Sequence, residues 1–388
     1  MRNVKLGCNK IVYGEGAVQA LADLPADRKR AYIVMSGTIN KDLGQLKMVT
    51  DILEGAGFQC RCNFDVEPEP SWKTIQRGTE DMREFEPDWI IGFGGGSAMD
   101  AAKAMWVFYE NPQYTTIEET LPPNTIENLG VKAHVCCIPT SAGTGSEASR
   151  AALIKDTELH KKFSIRDMNN RMTPSVAIID PAFATTMPKG LTAGSGMDAL
   201  THAIESYVTP GHNVFSDACA MGSWVAGYKN LATCYAEPDN LSARAEMLAS
   251  STLGAIAFSN AGLGIVHSIA HTFGALYGVP HGLANAVVLP YGIEFNAAND
   301  TDVKYRYDEL ARFVGKDDLY DTIVELRALL EVPDNMKAIV GDEEAVMGNL
   351  DHIVETALGD MTFAFNPVKA TQEQMRELII KVYSGSTR

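Results

Sequence analysis

The 388-residue sequence has no charge-free apolar run long enough to cross a bilayer, which takes about 20 residues, so no membrane-spanning segment is expected. The opening residues, Met1-Arg-Asn-Val-Lys-Leu-Gly-Cys8, are not followed by the apolar segment of a secretory signal. Basic side chains are outnumbered: 33 Lys and Arg stand against 49 Asp and Glu, a formal net charge of -16. Such a chain repels nucleic acid and anionic membrane surfaces, and neither is expected as a partner. The 7 cysteines, at 8, 60, 62, 136, 137, 219 and 234, form neither a disulfide framework nor a C-x-x-C pair. All seven read as structural free thiols of a cytoplasmic protein. Histidine is also scarce, with 8 in all, so the places where it gathers carry information.

What is present is enough chain for two domains. In the first half, short β-like runs (Ala31 to Met35, Gln59 to Phe64, Asp88 to Gly92, His134 to Ile138) alternate with helical patterns at Lys41 to Ala56, Trp72 to Phe85 and Ala98 to Tyr109. A β-rich stretch from Arg150 to Asp180 follows. This rhythm predicts an α/β domain over residues 1–187 with a mostly parallel sheet. Beyond Pro188 helical periodicity dominates, over Leu191 to Tyr207, Val214 to Ala232, Leu241 to Phe258, Leu263 to Tyr277, Ala284 to Phe295, Val303 to Phe313, Asp317 to Leu330 and Gln372 to Tyr383. An all-α domain over 188–388 is expected, with a hinge in the Met-Pro-Lys-Gly stretch between Thr186 and Leu191.

Two glycine-rich loops follow predicted strands. Gly92-Phe-Gly94-Gly95-Gly96-Ser97 stands where a phosphate meets a helix N-terminus, although it is not a strict G-x-G-x-x-G. Ser97 with Asp100 reads equally as a helix-capping pair. Pro139-Thr140-Ser141-Ala142-Gly143-Thr144-Gly145-Ser146-Glu147 offers hydroxyl and N–H donors to a diphosphate or ribose, or is simply a polar loop. Two such loops at strand C-termini point together to a nucleotide.

The helical half carries a second constellation. Asp198 and His202 stand four apart on one helix face, His267 and His271 repeat that spacing, and His281 follows a helix end. A single histidine on an apolar helix is more often a packed core residue. Four of the chain's eight histidines gathered with a carboxylate are a different matter. Three imidazoles and a carboxylate suit Fe²⁺ or Zn²⁺, whereas Mg²⁺ or Ca²⁺ would want more oxygens. No Glu sits beside His267, so this is not the H-E-x-x-H of a zinc protease. Spacing leaves five candidates for one ion and does not say which is spare.

Together these segments resemble the iron-containing (group III) alcohol dehydrogenases: Gly94-Gly-Gly-Ser97-x-x-Asp100, Pro139 to Glu147, Gly196-Met-Asp-Ala-Leu-Thr-His-Ala-Ile-Glu205, and Gly264-x-x-His-x-x-x-His271 through Pro280-His-Gly282. The likeness runs from Tyr13-Gly-Glu-Gly16 to Asn366-Pro367. It implies the dehydroquinate synthase-like fold, a dinucleotide domain followed by a helical metal-binding domain, and a small aldehyde or alcohol as substrate. It implies metal ligands at Asp198, His202, His267 and His281, and a catalytic His271 near nicotinamide and substrate. The resemblance places the diphosphate on Gly94, Gly95, Gly96 and Ser97, counts Asp100 among the cofactor-binding residues, and lines the cofactor groove with Thr140, Ser141 and Thr144. Lys162 becomes a ribose contact, and Phe258, Arg150 and Thr362 line the substrate pocket. The metal would act as a Lewis acid while NAD(H) or NADP(H) carries the hydride.

Two departures stand out. Where many NAD-preferring members have an Asp after the second strand, this chain has Ser36, so NADP(H) is not repelled. Asn366-Pro367-Val368-Lys369 lacks an Arg often found after the proline. Arg150 offers a charge for an anionic aldehyde such as sulfoacetaldehyde or succinic semialdehyde, or forms a structural ion pair. A homodimer or larger homo-oligomer is expected. The competing readings are a dehydroquinate-synthase-like or glycerol-dehydrogenase-like enzyme and a non-enzymic nucleotide-binding module. A lyase of this fold would surround its charged substrate with Lys and Arg, which are few near the ligand motifs.

Overall fold

A computed structural model of the chain describes residues 4–158, 161–167 and 169–385. Residues 1–3, at the start of the expected signal-free terminus, and positions 159, 160 and 168 of the expected β-rich stretch lie outside these. The chain divides into two compact units, Lys5–Thr186 and Met187–Arg388.

Among its described residues the first unit has eight strands: β1 (Lys10–Tyr13), β2 (Arg30–Val34), β3 (Gln59–Asn63), β4 (Trp89–Gly94), β5 (His134–Pro139), β6 (Ala151–Asp156), β7 (Lys161–Arg166) and β8 (Val176–Ile179). Six form one sheet in the order β1-β8-β5-β4-β2-β3, with every neighbouring pair parallel. β6 and β7 make a separate antiparallel pair. β4 is buried along its whole length and β5 everywhere but His134, which is why both read as continuous apolar runs rather than alternating ones. β1 carried no such signal: it is a four-residue edge strand, largely exposed.

Twelve described helices have ten or more residues: α1 (Gln45–Gly55), α2 (Trp72–Phe85), α3 (Gly96–Glu110), α4 (Lys189–Val208), α5 (Val214–Ala236), α6 (Leu241–Ala261), α7 (Ile265–Tyr277), α8 (His281–Asn299), α9 (Thr301–Phe313), α10 (Leu319–Leu329), α11 (Leu350–Gly359) and α12 (Gln372–Ser384). The helix expected over Lys41 to Ala56 is two, because Gly44 adopts φ +76 between Ile39–Asp42 and α1. The expected Thr186 to Leu191 stretch spans the boundary between the two units and runs into α4, with Pro188 at its N-cap position. α11 was not foreseen, and His281 both follows the end of α7 at Tyr277 and opens α8.

α4 and α8 touch backbone to backbone. A Cβ on Gly282 would fall 2.4 Å from the Gly194 carbonyl oxygen, so only glycine permits this approach. Asp198 lies one turn beyond Gly194, and His281 directly precedes Gly282.

Candidate functional site

α4 carries Asp198, His202 and Glu205 at spacings that put all three on one face, and all three are buried. α7 brings His267 and the start of α8 brings His281 to the same point. One ligand atom from each of Asp198, His202, His267 and His281 lies within 4.8 Å of all the others. Asp198 Oδ1 is 3.6 Å from His202 Nε2, 3.5 Å from His267 Nε2 and 3.3 Å from His281 Nε2. Burial opposes ionisation of Asp198, but the imidazoles of His202, His281 and His267 outweigh it and hold the carboxyl well below the usual range. Convergent imidazole and carboxylate donors fit a divalent transition metal.

The supporting role of Glu205 was not singled out in the sequence. Glu205 Oε2 accepts from His267 Nδ1 at 2.6 Å, which turns Nε2 toward Asp198. Burial works against a charged His267, yet Asp198 and Glu205 raise it to about 9. A cation must therefore displace a proton there. α7 has no side-chain cap of its own at Gly264; Glu205 Oε1 accepts from Val266 N–H at 2.7 Å and Asn366 Oδ1 from Ile265 N–H at 3.0 Å. Asn366 is the residue before the departing proline motif, and Lys369 closes that motif on the Ala364 carbonyl at 2.7 Å.

His271 stands apart from the ligand cluster. Its ring stacks on His281 at 5.2 Å between centroids, and its Nδ1 donates to Asp360 Oδ2 at 2.9 Å. Asp360 Oδ1 accepts from the Thr362 hydroxyl at 2.6 Å, so that hydroxyl is engaged with a carboxylate. The Phe258 ring lies 4.6 Å from that of His202 and forms an apolar wall beside the cluster.

In the first unit, the β4–β5 register (Gly94 opposite Pro139) sets the two glycine loops side by side, and Thr140 N–H donates to the Gly94 carbonyl at 3.0 Å. A Cβ on Gly96 would meet Thr144 Cγ2 at 2.9 Å, and one on Gly95 would meet Ser141 Oγ at 3.3 Å. The capping-pair reading fails: Gly95 is the N-cap of α3, and Ser97 lies inside the helix. Ser97 Oγ accepts from Glu69 N–H at 3.2 Å, and Glu69 in turn pairs with Lys162. Asp100 accepts from Ser146 Oγ at 2.5 Å and Leu153 N–H at 2.9 Å, so both its oxygens hold protein donors. Lys103, also not foreseen, is fully buried and clamps the second loop through the carbonyls of Ser146, at 2.9 Å, and Ala151. Ser36 Oγ donates to the Val66 carbonyl at 2.8 Å. Arg150 binds Asn170 Oδ1 at 2.7 Å, and burial with nearby Arg166 lowers its pKa.

Comparison with known sequences decides the family. The model described as iron-containing alcohol dehydrogenase matches residues 8–181, and that of the Fe-containing alcohol dehydrogenase family, C-terminal, matches 192–383. The chain belongs to the iron-containing alcohol dehydrogenase family. It is 39% identical over 385 residues to an NADPH-dependent butanol dehydrogenase of Clostridium saccharobutylicum, covering 97% of each chain. It is 36% identical over 383 residues to the 1-propanol dehydrogenase PduQ of Citrobacter freundii, covering 95% of this chain and 97% of that one. The solved iron-containing alcohol dehydrogenase from Thermococcus thioreducens superposes with a TM-score of 0.92 at 34% identity, over 99% of this chain and 100% of the other. The chain is thus an alcohol dehydrogenase acting with a nicotinamide cofactor, and its family implies a divalent metal, generally iron. The lyase and non-enzymic readings fall away.

Proposed function

We propose that this iron-containing alcohol dehydrogenase interconverts a small aldehyde and its alcohol, using a cation held by Asp198, His202, His267 and His281. The convergence of those four donors, with His271 beside them, carries the reading. Fe²⁺ or Zn²⁺ suits the donor set. When bound, the cation supplies Lewis-acid polarisation of the substrate oxygen, and the reduced nicotinamide supplies the hydride.

The chain's own residues do the rest. Glu205 and Asn366 fix α7 and the His267 ring. Phe258 shields one side of the ligand cluster from water. Asp360 directs the free Nε2 of His271, the atom that exchanges the alcohol proton. Burial and the neighbouring imidazoles lower the His271 pKa against the pull of Asp360, so it stands ready as a base at neutral pH.

Gly94, Gly95, Gly96 and Ser97 are the diphosphate cradle in this reading, with Thr140, Ser141 and Thr144 beside it. Lys162 reaches the ribose from β7. Ser36, uncharged, supports NADPH as the cofactor, and the NADPH-dependent relative points the same way. The butanol and propanol names of the relatives favour unbranched aliphatic substrates. Arg150, engaged with Asn170, gives weaker support to an anionic aldehyde such as sulfoacetaldehyde. Seven thiols, all raised by burial, fit a reducing compartment such as the cytoplasm. Exposed Ile11 and Tyr13 on edge strand β1 support self-association.

The test is aldehyde-dependent loss of NAD(P)H absorbance across a panel from acetaldehyde to butanal, with sulfoacetaldehyde included. Activity abolished by a chelator and restored by Fe²⁺ or Zn²⁺ is the expected result. No turnover of any aldehyde or alcohol by protein shown to hold metal and cofactor would overturn the reading.

A further inference from the structure

Asn285 lies on α8 one turn after His281, so the two side chains share a face. It is completely buried. Its Nδ2 stands 2.7 Å from Asp198 Oδ1 and 3.2 Å from Nε2 of both His267 and His281. Donor atoms around one small cation, each about 2.0–2.2 Å from it, are spaced about 3 to 3.5 Å from one another by simple geometry. The expected ligands keep that spacing: Asp198 Oδ1 is 3.3 to 3.6 Å from the three imidazole nitrogens. The amide nitrogen of Asn285 stands among these atoms but hydrogen-bonds the carboxylate oxygen at 2.7 Å, so it can direct Asp198 Oδ1 without being a ligand, because an amide NH₂ has no lone pair to give a cation.

The far end of the amide supplies the second observation. Asn285 Oδ1 is buried without a hydrogen-bond partner. Buried amide oxygens are rarely left so, and a core residue kept for volume alone would be apolar. What the asparagine gains is at the nitrogen end, where its N–H bonds hold Asp198 Oδ1 and leave the imidazole nitrogens to a cation. Without them, the carboxylate oxygen and the imidazole nitrogens would face one another with fewer donors between.

We propose that Asn285 is a fifth polar arm of the metal centre, a positioning residue that holds Asp198 Oδ1 and thereby sets how tightly the site binds a divalent cation. The inference rests on the reading that Asp198 and the three histidines hold that cation. An aspartate here would set a second negative charge against Asp198. A leucine would keep the branched shape and lose the donor.

The experiment titrates chelator-stripped full-length protein with Co²⁺, whose visible absorption reports both affinity and coordination geometry. Asn285→Ala and Asn285→Leu are expected to bind about 10–100-fold more weakly than the unmodified chain, with an altered absorption envelope. Asn299→Ala, exposed near the end of the same helix, should match the unmodified chain in both. A folded Asn285 variant that binds Co²⁺ as tightly as the unmodified chain, with the same absorption, overturns the proposal. Failure of the unmodified chain to bind Co²⁺ overturns the metal reading instead. Should both variants fail to fold, Zn²⁺ titration of the ¹⁵N-asparagine-labelled unmodified chain decides. A side-chain amide pair that shifts until the site is filled supports the role of Asn285, and no shifted pair refutes it.

Discussion

His271 and Asp360 form a directed pair, with Nδ1 donating to Oδ2 over 2.9 Å, while the Thr362 N–H and hydroxyl hold the other carboxylate oxygen. Loss of the imidazole in His271→Ala should lower kcat about 10²–10⁴-fold, the usual worth of a positioned proton-transfer group. Asp360→Asn, which leaves the imidazole but loosens its orientation, should cost about 10–100-fold. Both variants should keep their full metal content, because neither residue belongs to the ligand cluster. Steady-state kinetics alongside elemental analysis checks this; metal loss in His271→Ala would return His271 to the ligand set.

The same pair sets an acid limit on stability. Burial opposes ionisation of Asp360, but His271 and Thr362 outweigh it and lower its pKa in the folded chain. The ionised Asp360 carboxylate thus stabilises the fold above the unfolded-state value of about 3.9, and this contribution is lost as pH falls through the lower folded value. Melting curves should show Asp360→Asn less stable than the unmodified chain at pH 6, with the gap closing below about pH 4. A gap of constant size down to the acid transition would count against it.

Glu205→Gln replaces an acceptor that serves both the His267 ring and the Val266 N–H. Metal affinity should fall about 10–100-fold, because the His267 tautomer is no longer enforced. Competition with a chromogenic chelator measures this directly, and unchanged affinity would show that His267 is oriented by packing alone.

Ser36→Asp restores a carboxylate at the end of β2. Two like charges about 4 Å apart at a protein surface cost about 1–4 kcal/mol, so KM for NADPH should rise tenfold or more. Preference should move toward NADH. An unchanged ratio of kcat/KM for the two cofactors would remove Ser36 from the ribose site.

Gly282→Ala would drive a methyl into the Gly194 carbonyl oxygen, 2.4 Å away. Overpacking of this kind costs about 1–3 kcal/mol, with melting lowered by about 2–4 °C for each kcal/mol. Metal affinity should fall as well, because α8 must retreat from α4 and carry His281 with it.

Much of this was legible in the sequence because the signals were local. β4 and β5 announced themselves as short apolar runs, and α2 began and ended where its pattern did. Asp198 with His202, and His267 with His271, were readable as helix-face pairs. Glu205 extends the Asp198–His202 face by a further turn, a signal present in the sequence and passed over. Asn285 stands four residues after His281, another helix-face signal passed over, whereas Asp360 and the contact of Asn366 with α7 had none, since each acts on a partner 89 to 101 residues away. β1 went unseen because an exposed edge strand lacks the two-sided burial that marked its neighbours. The Ser97–Asp100 spacing suggested a cap, but the glycine before the helix took that place.

The Gly194–Gly282 contact means that the gauge of the proposed metal centre is machined into two backbones before any ligand is chosen. Neither residue has a side chain to offer a cation, yet together they fix how far Asp198 can stand from His281. Retuning this protein for a larger or smaller ion by exchanging ligands alone would meet a frame that does not stretch.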